Sequence, residues 1–270
     1  MRDRMYKILV FTALLSLILA SCGTFQVSIE QVPSATPGGN EPVPSATQPS
    51  ATATLPTATL PVTDTPPSPT RIRFAPGGTQ SITEGRLGPG ESSIFVLAAS
   101  QGQALIASAD SPDQDVDLSI SGANGAVLLA AGPSVSNSFT GTLPATQDYL
   151  FKLTGGASPE NFALSVIIAA RIQFAPGEKE SIITGRTNNG FAVTYSAYAQ
   201  KGQTMDVTLD VPGERAGLTI WGFSDGEPYA RAQNGVRDFS LVLPSTQDYI
   251  IEVQPQAGQT VDYTLTVQIQ

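Results

Sequence analysis

The chain has 270 residues, a formal net charge of −9, one cysteine and no histidine. A single cysteine excludes any disulfide within the chain, and the lack of histidine removes the commonest general base and transition-metal ligand. The negative charge opposes binding to nucleic acid and to anionic headgroups. At about 100–200 residues per domain, the length allows two domains.

Residues 1–21 have the features of a lipoprotein signal peptide. Three basic residues precede an apolar run over residues 8–20, which is too short to span a hydrocarbon core of ~30 Å but matches a signal-peptide core. The run ends in Leu19-Ala20-Ser21-Cys22, which resembles the bacterial lipobox. The pattern predicts that Cys22 carries acyl chains, palmitate among them, which anchor the protein to the extracytoplasmic face of the cell membrane. The alternative is an ordinary signal peptide followed by an incidental cysteine.

Residues 22–70 are predicted to form a disordered stalk. Ten of the residues from Pro33 to Thr70 are proline, and most of the others are threonine, alanine and serine. Such a segment buries too little apolar surface to offset the entropy lost on ordering, and its prolines favour extended polyproline II. It is either a spacer that lifts the folded part off the membrane or a passive linker.

A long internal repeat follows the stalk. The segment RIRFAPG at Arg71–Gly77 returns as RIQFAPG at Arg171–Gly177, and LPATQDY at Leu143–Tyr149 returns as LPSTQDY at Leu243–Tyr249. A period of about 100 residues is far longer than that of a solenoid repeat, which spans ~20–50 residues. The repeat therefore predicts two complete domains of one fold, over residues 71–170 and 171–270.

Each repeat has the alternation of an all-β protein. Apolar and polar residues alternate over residues 116–121 and 162–168 of the first repeat, and over residues 205–209 and 263–269 of the second. Turn formers separate such runs, which favours two tandem β-sandwiches of the jelly-roll or immunoglobulin-like type. The repeated Gln-Asp-Tyr predicts that Tyr149 and Tyr249 each cap a turn with the hydroxyl, as in a tyrosine corner.

The first repeat carries, in chain order, Gly85, Phe95, Gly102-Gln103, Asp117-Leu118, Gly125, Leu143-Pro144, Asp148-Tyr149 and Phe162-Ala163-Leu164. The order of these motifs resembles that of the bacterial pre-peptidase C-terminal domain. The Phe-Ala-Pro-Gly, Gly-Gln and Gly-Thr-Leu-Pro blocks of this chain are also similar to those of periplasmic inhibitors of g-type lysozyme. Both resemblances span residues 71–270 and imply a non-catalytic binding module.

One loop of the first repeat is rich in aspartate. Asp110, Asp113, Asp115 and Asp117 crowd into eight residues, and such hard oxygen ligands can bind Ca²⁺. The second repeat keeps only Asp210 of the four. The loop is therefore either a weak calcium site or a solvated acidic turn, and no other cofactor is expected.

Three aromatic residues of the second repeat are candidate ligand-binding residues. Trp221, Phe223 and Tyr198 lie in the outward phase of their strands, where the first repeat has serine or alanine. Exposed aromatic rings stack on sugars or anchor protein partners. The alternative for Trp221 is packing under a loop or at the junction between the repeats.

The sequence lacks G-x-S-x-G, H-E-x-x-H, C-x-x-C and a phosphate-binding glycine loop, so no enzyme activity is expected. We interpret the chain as a surface lipoprotein whose two modules recognise an extracellular protein or glycan. The alternatives are an inhibitor of g-type lysozyme, steered by its acidic charge, and a structural envelope protein.

Overall fold

The computed structural model describes residues 68–132 and 136–270. Within these residues the chain forms eighteen β-strands and two short 3-10 helices, Pro212–Glu214 and Ala232–Asn234. Neither of these helices has the length and apolar character needed to cross a membrane. The predicted signal peptide, Cys22 and most of the stalk lie outside the described residues.

The first repeat contains nine strands in two sheets. The five-stranded sheet has the order β1-β3-β8-β5-β6, and the four-stranded sheet has the order β2-β9-β4-β7. The short β1 runs parallel to β3, and the other pairs are antiparallel. The strands are β1 (Thr70–Arg71), β2 (Gln80–Leu87), β3 (Ser92–Ala99), β4 (Ala104–Asp110), β5 (Val116–Gly122), β6 (Val127–Leu129), β7 (Ser138–Thr142), β8 (Gln147–Gly155) and β9 (Glu160–Ile168).

The second repeat has the same topology. Its five-stranded sheet has the order β10-β12-β17-β14-β15, and its four-stranded sheet has the order β11-β18-β13-β16. The prediction of an all-β chain built from β-sandwiches is therefore confirmed. The strands are β10 (Ala170–Arg171), β11 (Glu180–Arg186), β12 (Val193–Ala199), β13 (Thr204–Asp210), β14 (Ala216–Gly222), β15 (Pro228–Ala230), β16 (Asp238–Val242), β17 (Gln247–Pro255) and β18 (Asp262–Ile269).

Each repeat encloses a core between its two sheets. In the first repeat Leu118 of β5 and Leu164 of β9 come from different sheets and are buried in one cluster. Leu218 and Leu265 occupy the corresponding places in the core of the second repeat. Burying each such side chain contributes about 1.5–3 kcal/mol, so each sandwich gains its stability from its own apolar layer rather than from disulfides.

In each repeat, the hydroxyl of one buried tyrosine fixes the turn that precedes it. The Tyr149 hydroxyl donates to the Ala145 carbonyl at 2.6 Å, and the Tyr249 hydroxyl donates to the Ser245 carbonyl at 2.7 Å. Both rings are fully buried, which confirms the predicted tyrosine corners.

In each repeat, an aromatic ring of the last strand (β9 or β18) lies over a glycine of the neighbouring edge strand (β2 or β11). A Cβ atom on Gly85 would lie 2.6 Å from Cζ of Phe162, and one on Gly185 would overlap the ring of Tyr263. Any larger residue would displace the ring. The Tyr263 hydroxyl also lies 2.6 Å from the Tyr195 hydroxyl across the core, where the first repeat pairs the rings of Phe162 and Phe95 edge to face.

Candidate functional site

The three predicted aromatic residues share the outer face of the second repeat's five-stranded sheet. Tyr198 of β12 lies opposite Asp248 of the central strand β17, and Trp221 of β14 lies opposite Ile250 of the same strand. Phe223 follows β14 directly, and its N–H donates to the Asp248 carbonyl at 2.9 Å. The rings therefore flank β17, with Tyr198 on one side and the other two on the opposite side.

Part of this face is covered by the first repeat. Ile250 points away from its own sandwich, between the inward-facing Tyr249 and Ile251, yet it is 0% exposed. It forms a separate apolar cluster with Ala104 and Ala169 of the first repeat. We call this cluster of Ile250, Ala104 and Ala169 the junction.

Trp221 and Phe223 pack against the junction and are half-buried. Their ring centroids lie 6.2 Å apart with a tilt of 39° between the planes. Both residues thus pack between the repeats, which is the alternative considered for Trp221, and part of each residue stays accessible.

Polar contacts accompany the apolar junction. The Thr194 N–H at the start of β12 donates to the Thr79 hydroxyl of the first repeat at 2.8 Å. The Asn188 side-chain amide donates to the Pro76 carbonyl at 3.2 Å. Thr79 lies in the connection between β1 and β2, so this connection of the first repeat forms part of the contact with the second.

Tyr198 lies on the open part of the face. Its side chain is 50% exposed, and next to it the Arg171 guanidinium pairs with the Asp248 carboxylate. The first repeat has the same ion pair, between Arg71 and Asp148 at 3.0 Å, but has Ala98 in place of the tyrosine. The open part of the face therefore combines an aromatic ring with a charged rim.

Glu252 lies beside the covered part of the face. It sits on β17 opposite Thr219, is half-buried, and accepts a hydrogen bond of 3.4 Å from the Trp221 indole N–H. Burial raises the pKa of the Glu252 carboxyl, and the indole hydrogen bond offsets part of this rise because it favours the charged form. The first repeat has the exposed Lys152 at the equivalent position.

Only Asp113 and Asp115 of the four aspartates lie in the connection between β4 and β5, because Asp110 ends β4 and Asp117 belongs to β5. The buried Glu160 carboxylate accepts the N–H groups of Asp113 and Asp115, and the Asp115 carboxylate accepts the Ala157 N–H at 2.9 Å. Among the described residues, no group of three or more acidic or cysteine side chains is arranged to hold a metal ion. The calcium prediction for Asp110, Asp113, Asp115 and Asp117 thus gains no support from this geometry.

A second exposed feature is the turn between β5 and β6. The Gly122 N–H donates to the Ala126 carbonyl at 2.8 Å, and the Ala126 N–H donates to the Asn124 side chain at 3.0 Å. The Asn124 N–H in turn donates to the Gln147 side chain at 3.1 Å. The turn therefore presents Ala123, Asn124 and Gly125 to solvent on a hydrogen-bonded backbone.

The residues that sequence reasoning missed are Ile250, Glu252, Thr79 and Glu160. Ile250 did leave a signal, because Tyr249-Ile250-Ile251 is an apolar run within an otherwise alternating strand. Continuous apolar runs indicate strands covered on both faces. The other three residues left no comparable signal, since each acts on a segment that is distant in the sequence.

No family model matches the chain, and a search of curated proteins found no match. Among solved structures, the periplasmic g-type lysozyme inhibitor PliG of Aeromonas hydrophila aligns at 16% identity over 37% of this chain and 96% of its own, with a TM-score of 0.33. PliG of Salmonella Typhimurium aligns over the same shares at 16% identity with a TM-score of 0.28. The CUB1-EGF-CUB2 domains of rat MASP-1 align over 74% of this chain and 100% of their own at 7% identity, with a TM-score of 0.25. Similarities this low carry no functional conclusion.

The raised pKa of Glu252 predicts how stability depends on pH. Below the ordinary glutamate pKa the carboxyl is protonated in the folded and unfolded states, so burial carries no charge penalty. As the pH rises through the raised folded pKa, the folded protein must ionise a desolvated group and loses stability. Glu252→Gln should therefore raise the melting temperature at pH 7 by on the order of a few degrees, and the gain should vanish near pH 4.

Thermal unfolding followed by circular dichroism between pH 4 and pH 8 measures this effect. Glu178→Gln, in an exposed turn, is the matched control and should leave the curve unchanged. A Glu252→Gln protein that is less stable than the parent at pH 7 would contradict the conclusion that burial of the ionised Glu252 carboxylate destabilises the folded protein.

Proposed function

We propose that the chain is a lipid-anchored, extracytoplasmic binding protein that recognises an extracellular protein or glycan without catalysis. The observation that carries this proposal is the exposed Tyr198 on one side of β17 and the half-buried Trp221 and Phe223 on the other side, all on one sheet face. At the equivalent positions the first repeat has Ala98, Ser121 and Ala123. Two repeats with the same topology thus differ in the aromatic character of this one face.

The composition of this face suits non-covalent recognition. Tyrosine and tryptophan supply large, rigid contact areas with few rotatable bonds, and each adds a polar group at its rim. The Arg171–Asp248 ion pair borders Tyr198 and supplies both a donor and an acceptor for a polar ligand. Aromatic faces next to hydrogen-bonding groups serve sugar rings and protein side chains alike, so the experiment below separates the two.

The junction supports the same proposal by limiting motion. Packing against Ile250 holds the rings of Trp221 and Phe223 before a ligand arrives, which reduces the side-chain entropy lost on binding. The open ring of Tyr198 then extends a surface whose other half is already ordered.

A second candidate function is inhibition of a g-type lysozyme, and the turn between β5 and β6 favours it. The turn is exposed, and three hydrogen bonds order its backbone before binding, so Ala123, Asn124 and Gly125 could enter an active-site cleft at low entropic cost. The net charge of −9 would steer the chain towards a basic enzyme.

Tyr198→Ala should weaken retention of the partner by about 10- to 100-fold, because removing an aromatic anchor costs on the order of 1–3 kcal/mol. Its melting temperature should stay close to that of the parent, since half of the side chain is in solvent. The measurement is binding of envelope and culture-medium fractions to the immobilised full chain. Val242→Ala, exposed on β16, is the matched control.

Pretreating the fractions with protease or with glycosidases distinguishes a protein from a glycan. A lysis assay with g-type lysozyme separates recognition by the aromatic face from lysozyme inhibition by the turn between β5 and β6. Inhibition that survives Tyr198→Ala but is lost with Asn124→Ala supports the inhibitor function. Retention that is unchanged by Tyr198→Ala would remove the aromatic face from the proposal.

Lipidation of Cys22 is the proposed means of anchoring, with residues 22–70 as a spacer and residues 71–170 and 171–270 as the two modules. Cys22→Ala should move the protein out of the detergent phase, or leave it as a longer precursor, because no acyl chain can be attached. Phase partitioning and intact-mass measurement in the source cell test this. A mutant with unchanged mass and partitioning would contradict it.

A further inference from the structure

Strand β11 forms an edge of the second repeat's four-stranded sheet. In the described part of the chain it pairs only with β18, through all seven residues from Glu180 to Arg186. A full-length edge strand offers a row of unpaired backbone groups to any other extended segment.

The hydrogen bonds at the two ends of β11 show which backbone groups face the open side. The Thr187 N–H donates to the Val261 carbonyl, and the Ile269 N–H donates to the Lys179 carbonyl, each at 2.9 Å. In an antiparallel pair, hydrogen-bonded and non-bonded residues alternate. The odd-numbered residues of β11 therefore bond to β18, and the even-numbered residues direct their N–H and C=O groups to the open edge.

The same even-numbered residues carry exposed side chains. Ile182 is 63% exposed, and the Arg186 side chain is 65% exposed. Glu180 and Thr184 are exposed as well. The open edge therefore has unpaired backbone groups and the apolar side chain of Ile182, with Glu180 at one end and Arg186 at the other.

We propose that this edge pairs with the β11 strand of a second copy of the chain. In an antiparallel arrangement with a twofold axis at Ile183, Glu180 lies opposite Arg186 of the second copy, and Ile182 lies opposite Thr184. Both pairings match an even-numbered residue with an even-numbered residue, which is the parity that hydrogen bonding across the open edges requires. The two four-stranded sheets then form one continuous eight-stranded sheet.

Charge complementarity selects this register. Arg186 already lies 3.5 Å from Asp262 on the β18 side, and Glu180 of the second copy would approach it from the open side. The twofold axis produces this arrangement twice. A register centred on Ile182 or on Thr184 also satisfies the parity, but it loses both Glu–Arg pairs and forms fewer backbone hydrogen bonds.

The equivalent edge of the first repeat does not combine opposite charges with a full-length register. Strand β2 has the same parity, because the Ile168 N–H donates to the Thr79 carbonyl at 2.9 Å. The matching register, centred on Thr83, places Gln80 opposite Arg86 and Ile82 opposite Glu84. No opposite charges meet in that register. A register centred on Gly85 brings Glu84 opposite Arg86, but it overlaps only residues 83–87 of β2 and forms fewer backbone hydrogen bonds, so pairing is assigned to β11.

Two paired strands make a small interface, so the expected dimer is weak. Specific complexes bury about 1,200–2,000 Å², and one pair of seven-residue strands falls below this range. Because exposed charge pairs are screened by salt, raising the ionic strength should weaken the dimer further.

Sedimentation velocity of the full chain, in density-matched detergent and at low salt, tests the proposal. A concentration series should show a reversible monomer–dimer equilibrium. Glu180→Arg and Arg186→Glu should each raise the dissociation constant at least about tenfold, because each places like charges opposite one another twice. The double exchange E180R/R186E should restore it to within about threefold of the parent.

Glu84→Arg on β2 is the matched control and should leave the equilibrium unchanged, and circular dichroism should show that every variant is folded. A chain that stays monomeric at the highest concentration would overturn the proposal. So would a dimer that responds equally to Glu180→Arg and Glu84→Arg, or one that the double exchange does not restore.

Discussion

The outer face of the second repeat's five-stranded sheet is arranged around one contact, the burial of Ile250 against the first repeat. This residue points away from the core of its own sandwich, and without Ala104 and Ala169 it would be an exposed apolar side chain on a sheet face. Covering it removes apolar surface from water, which contributes about 25 cal/mol for each Å² buried. The hydrogen bond from Thr194 to Thr79 adds a directional contact to this non-directional one.

That contact divides the outer face of the second repeat into two parts with different chemistry. On the covered side, Trp221 and Phe223 are half-buried and the Glu252 carboxyl is desolvated. On the open side, Tyr198 stands next to the Arg171–Asp248 ion pair. The same positions in the first repeat carry Ser121, Ala123, Lys152 and Ala98, so the two repeats present different outer faces on the same strand order.

Much of the fold could be predicted from the sequence, because alternation along a strand follows directly from which sheet face meets the core. The all-β class, the capping hydroxyls of Tyr149 and Tyr249, and the outward phase of Tyr198 follow from local pattern and from the repeat, whereas the order of the strands in each sheet does not. The junction could not be derived in the same way. Whether Ile250 is covered depends on how the two repeats pack, and Thr79 is separated from Thr194 by 115 positions. For the same reason, the role of Glu160 became apparent only from the backbone groups that its carboxylate accepts.

Trp221 is the single tryptophan of the chain, so its fluorescence reports on the junction without any label. Ala104→Arg places a charged side chain where Ile250 packs, and the equivalent Thr204→Arg in the second repeat serves as the control. If the first repeat covers this face, Ala104→Arg shifts the emission to longer wavelength and increases quenching by acrylamide, with the far-ultraviolet circular dichroism unchanged, whereas Thr204→Arg does neither. If emission and quenching are identical in the parent and in Ala104→Arg, the first repeat does not cover Ile250, and the division of the face into a covered and an open part is wrong.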